Sequence, residues 1–64
     1  MDNTIKRIKA ELHRRMRERE EWMKEFKDYS NSNNPTEQYQ YRTWSTLNTE
    51  DESILHYLNR LNEQ

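Results

Sequence analysis

Residues 4–29, TIKRIKAELHRRMREREEWMKEFKDY, contain no glycine or proline and set Ile5, Ile8, Leu12, Arg15, Arg19, Trp22 and Phe26 at alternating steps of three and four. Side chains so spaced share one side of an α-helix, and Lys, Arg, Glu, Leu and Met between them are good helix formers. Asp2, Asn3 and Thr4 precede the run as candidate N-caps. The spacing therefore predicts a helix over 4–29. At 1.5 Å per residue it would be a rod of roughly 39 Å, too long to persist on propensity alone and in need of a packing partner.

The partner is in the same chain. Gln40, Trp44, Leu47, Asp51, Ile54, Leu58 and Leu61 repeat the spacing, and the polar stretch 30–35, SNSNNP, separates the two series. Short polar side chains there compete for backbone hydrogen bonds, and Pro35 is best placed as the first residue of a second helix, with Asn34 as its cap. A turn centred on Asn33 pairs Ile5 with Leu61, Ile8 with Leu58, Leu12 with Ile54, Arg15 with Asp51, Arg19 with Leu47 and Trp22 with Trp44. The expected fold is all-α, a single domain over 1–64 built as an antiparallel helical hairpin with helices 4–29 and 36–62.

The second helix carries competing signals. Tyr39, Tyr41 and Thr43 alternate as strand residues would, and Thr49 followed by Glu52 reads as a capping box over a helix that starts afresh. A continuous helix is the main expectation. That helix can be kinked or broken near residue 48, and its rival is a loop or strand at 38–46 followed by a short helix.

Sixty-four residues with 30% hydrophobic and 36% charged side chains and no cysteine can build only a thin core, with neither disulfides nor thiolate clusters to reinforce it. Oligomerisation is the remaining way to add burial, so the hairpin is expected to assemble as a homodimeric four-helix bundle. One flank of the seam points to the surface responsible. Met16, Met23, Tyr41 and Leu55 line up on one side while Glu11, Glu18, Glu25 and Glu50 occupy the other, which makes Met16, Met23, Tyr41 and Leu55 the expected oligomer or partner interface. Trp22, Phe26, Tyr39 and Trp44 form an expected aromatic cluster near the turn, serving as core or as a docking tip. Arg15 and Asp51 are the expected register pair, since a slipped alignment would leave either charge alone in the seam.

Chemistry is sparse. Glycine is absent, which removes phosphate-cradling loops, and His13 and His56 fall at outward positions without a base, an orienting carboxylate or a pocket. No catalytic residue, metal site or cofactor is expected, and the chain is read as non-enzymatic. The first 29 residues carry a net +2 and the rest −3. Lys6, Arg7, Lys9, Arg14 and Arg17 are the contacts a nucleic-acid-binding alternative would use, although Glu50, Asp51 and Glu52 are expected to offset part of that charge within the fold. No apolar run reaches signal-peptide or membrane-span length, so a soluble cytoplasmic protein is expected. The leading functional expectation is a small protein–protein interaction module, acting as a regulator, inhibitor or adaptor on an unidentified protein partner. Its composition fits accessory proteins of phages and mobile elements.

Overall fold

A computed structural model describes residues 3–62. Helix α1 spans Thr4–Glu25, a 3₁₀ segment spans Lys27–Asn31, and helix α2 spans Pro35–Asn62. The helices pack antiparallel, and the 3₁₀ segment packs on α2. Asp2, an expected cap, lies outside the described residues. Asn3 occupies the cap position of α1, but its side chain makes no capping bond; only its carbonyl accepts, from the Arg7 N–H at 2.9 Å.

The first helix stops one turn earlier than residue 29, and aromatic packing explains why. Phe26 leaves helical geometry at φ −109°, ψ 37°, and the chain tightens so that Tyr29 N–H donates to the Phe26 carbonyl at 2.9 Å. A 3₁₀ turn eclipses side chains three apart. Phe26 and Tyr29 are thereby brought to one side, their rings tilted at 39° with 5.1 Å between centroids, and both reach Trp44 on α2, at 6.0 and 6.4 Å.

The turn is closed by side chains. Asn34 caps α2 by accepting the Thr36 N–H on Oδ1 at 2.9 Å, while its own N–H donates to Ser32 Oγ at 3.0 Å. Ser32 Oγ passes the bond on to Glu37 Oε1 at 2.5 Å, and Gln38 Nε2 donates to the Ser32 carbonyl. Pro35 is the first helical residue, where its missing N–H costs nothing.

Helix α2 runs through 38–46 and past residue 48 without a break. The threonines behind the two competing signals are accommodated by bonding back one turn: Thr43 Oγ1 donates to the Tyr39 carbonyl at 2.8 Å and Thr49 Oγ1 to the Ser45 carbonyl at 3.1 Å. Thr49 thus spends its hydroxyl inside the helix rather than capping a new one.

The core is short. Leu12, Leu55 and Leu58 are its buried apolar residues, with Ile5 and Met16 packed against them. The radius of gyration is 14.7 Å over a body 50 × 16 × 13 Å, against about 10.7 Å for a compact globule of this length.

Candidate functional site

Halfway along the hairpin a polar layer crosses the seam. Arg19 Nη1 donates to Asp51 Oδ2 at 2.6 Å and to Asn48 Oδ1 at 2.9 Å, and Asn48 Nδ2 reaches the Met16 carbonyl at 3.4 Å. Arg15, the expected partner of Asp51, is instead exposed and bonds Glu11 on its own helix at 3.2 Å. The reason is rotational. At about 100° per residue Arg19 stands within roughly 20° of buried Leu12, whereas Arg15 stands roughly 60° away from it. Only Arg19 points across the interface at the level of Asp51.

The same rotation inverts the two flanks of the seam. Leu55, expected on an exposed interface, is 7% exposed and belongs to the core; Met16 packs on that core, and Met23 and Tyr41 are half-buried. Leu55 is thus withdrawn from the surface, Met16, Met23 and Tyr41 are partly covered, and Met16 and Leu55 border a groove. Residues expected in the seam are open instead: Ile8 is 42% exposed, Trp22 37%, Leu47 37%, Ile54 44% and Leu61 41%. They share a side. At about 100° per residue, Ile8, Arg15 and Trp22 lie roughly 40–80° to one side of Leu12, and Leu47, Ile54 and Leu61 lie roughly 80–120° to the same side of Leu55. The apolar arc on these helices is wider than one neighbour can cover, so the pair buries one margin and leaves the other in water.

Of the expected aromatic cluster, Trp22, Phe26 and Trp44 come together, with Trp22 and Trp44 5.8 Å apart. Tyr39 does not join them; it is 70% exposed, and Tyr29 takes the place beside Trp44 with its ring nearly parallel at 8°. The 3₁₀ tightening brings Tyr29 there, which a continuous helix to residue 29 would not.

The basic stretch is partly neutralised, by Asp51 at Arg19 across the seam and by glutamates of α1 itself. Arg14 donates to both Glu11 oxygens at 3.1 and 2.7 Å and to Glu18 at 2.9 Å. Its hydrogen bonds, followed by those of Arg15, hold the Glu11 carboxyl down at about 2, and Glu11 in turn raises the Arg14 pKa. Of the acids 50–52, Asp51 bonds Arg19 and Glu52 approaches His56 Nε2 at 3.8 Å. Lys6 and Arg7 border a shallow depression with Asn3 and Ala10 at the start of α1, while Arg17 lies elsewhere.

On the side opposite the open apolar face lies a groove of about 430 Å³, with Met16 and Leu55 in its lining. His13, Arg17, Glu20, Glu52 and His56 line it as well. Both histidines therefore border one groove, contrary to their expected isolation. Among the described residues no group of three His, Cys, Asp or Glu side chains is arranged to hold a metal ion, and no helix is long and apolar enough to cross a membrane.

No protein-family model, no curated protein and no solved structure matches this chain.

Proposed function

We propose that this chain is a small, non-enzymatic protein–protein interaction module that works as a regulator, inhibitor or adaptor through its helical surface, with hairpins assembling into a bundle. One observation carries this reading: five large apolar residues, Ile8, Trp22, Leu47, Ile54 and Leu61, stand open along one side of a hairpin that buries only three apolar residues among those described. An exposed apolar run of this kind is a sign of an interface, since water exacts a free-energy cost for it that a protein surface removes. The reading moves the interface from Met16, Met23, Tyr41 and Leu55 to the opposite flank.

Basic residues weigh less in this proposal because Arg14 and Arg15 are already engaged by glutamates. Capture experiments on the immobilised full chain, at low and high salt, separate the alternatives. A protein retained at high salt and lost on Leu47→Glu supports the module. Retention of nucleic acid alone, released by salt and weakened by substitutions at Lys6, Arg7 and Arg17, would replace it with a phosphate-binding role.

A further inference from the structure

We propose that the occupant of the open apolar face is a second copy of this chain, laid face to face with α1 of one copy over α2 of the other. This rests on reading that face as an interface, and it adds which surface joins the two copies and how they are oriented.

Surface area is the first argument. The chain exposes 5480 Å², whereas a compact monomer of 8.1 kDa exposes about 4,500 Å². The excess of about 1,000 Å² per chain is close to the roughly 800 Å² each partner contributes to a stable interface of ordinary size. One hairpin is in this sense half a domain, and a second hairpin on the open face restores the missing burial.

Spacing is the second. Ile8, Arg15 and Trp22 follow one another at steps of seven on α1, and Leu47, Ile54 and Leu61 do so on α2. A strict seven-residue repeat is the signature of helices that continue to meet a partner along their length. In the antiparallel register these residues form three layers: Ile8 with Leu61, Arg15 with Ile54, and Trp22 with Leu47. A second copy has the same layers at the same intervals by identity, which a foreign surface would have to match independently.

Charge selects the arrangement. Two orientations bring the open faces together, each with a two-fold axis in the plane of contact. An axis perpendicular to the helices puts α1 on α1 and Arg15 against the partner's Arg15. An axis parallel to the helices puts α1 on the partner's α2, which sets each Arg15 over an Ile54 and keeps the two guanidinium groups apart. In that arrangement Ile8 faces the partner's Leu61, Arg15 faces the partner's Ile54 and Trp22 faces the partner's Leu47. All neighbouring helices are then antiparallel. Arg15 lays its aliphatic stem over the middle layer while its guanidinium stays on Glu11 at the rim, a polar interruption that holds the register at some expense in affinity.

Sedimentation equilibrium of the full chain across a wide concentration range tests the proposal. The mass should rise from 8.1 kDa toward twice that value. Ile54→Glu should weaken association roughly 100-fold, because it places a charge in the middle layer. Arg15→Leu should tighten it roughly tenfold by completing the apolar column; this variant enlarges the apolar surface, so it remains informative if Ile54→Glu fails to fold. Mixing Ile8→Cys chains with Leu61→Cys chains should give the mixed disulfide, while Arg15→Cys chains alone should not cross-link. A parent and an Arg15→Leu variant that both stay at 8.1 kDa would overturn the proposal, as would a dimer indifferent to both substitutions. A monomer that still captures a foreign protein in a Leu47-dependent way would overturn the second copy while leaving the interaction module standing.

Discussion

Arg19 and Asp51 join α1 to α2 through an Nη1–Oδ2 contact of 2.6 Å, with their side chains only 12% and 11% exposed. Two charges so far removed from water hold each other in place, because separating them would leave each without compensation in a poorly solvated site. Asn48 extends the layer to the backbone of α1, so its polar atoms are shared across the seam.

Arg19→Ala should therefore destabilise the protein by about 3 kcal/mol, and Arg19→Leu combined with Asp51→Leu by much less, since the double change leaves no buried charge unpaired. Arg15→Ala, at an exposed intrahelical pair, should stay within about 0.5 kcal/mol of the parent. Urea melts at one fixed protein concentration check the ranking. Equal losses for Arg15→Ala and Arg19→Ala would contradict the layer described.

Glu11 gives a pH dependence with a definite sign. Its carboxyl, held at about 2 by hydrogen bonds from Arg14 and Arg15, binds its proton less readily in the helix than in the unfolded chain. The stabilisation is fully present above the ordinary carboxylate range and disappears as pH falls from about 4.5 through about 2. Solvent screening keeps the gain small at this exposed position. A ¹³C-detected titration of the Glu11 carboxyl should show a midpoint near 2, and Arg14→Gln should move it upward; a midpoint in the ordinary range would refute the assignment.

Trp44 is the hub of the turn-proximal end, in ring contact with Trp22, Phe26 and Tyr29. Trp44→Ala should cost about 2 kcal/mol, below the range for a fully buried tryptophan because the site is half-buried. Tyr39→Ala should change stability by less than about 0.5 kcal/mol. Near-ultraviolet circular dichroism adds a second readout: the Trp22–Trp44 signal should vanish with Trp44→Ala and survive Tyr39→Ala.

The two helix starts should respond differently to alanine. Asn34 makes a side-chain cap to Thr36 and Asn3 makes none to α1, so Asn34→Ala should cost about 1 kcal/mol. Asn3→Ala should cost less than about 0.5 kcal/mol. Thermal melts of both variants under one buffer and concentration make the comparison; a larger loss at Asn3 would show that α1 is capped in some other way.

The two helices, the polar turn and the antiparallel match of Trp22 to Trp44 were legible from residue spacing, because helix periodicity, an Asn-Pro start signal and a break in apolar repeat are local properties. The continuity of α2 was less so. Alternating Tyr39, Tyr41 and Thr43, and Thr49 followed by Glu52, express local preferences that packing of Trp44 and Asn48 against α1 overrides.

Periodicity also shows that each helix has an apolar arc but not how far the helix turns to present it. Ile8 and Leu12 lie about 40° apart on that arc, and nothing in their spacing says which enters the core. The choice rests on how both helices interlock at once: Leu12, Leu55 and Leu58 closing together, Arg19 reaching Asp51, and the 3₁₀ segment drawing Phe26 and Tyr29 onto Trp44. The sequence alone thus determined a hairpin with more apolar surface than two helices can bury. Only the tertiary structure decided which margin of that surface is covered and which stays open, because rotation about a helix axis is set by side chains on both partners together.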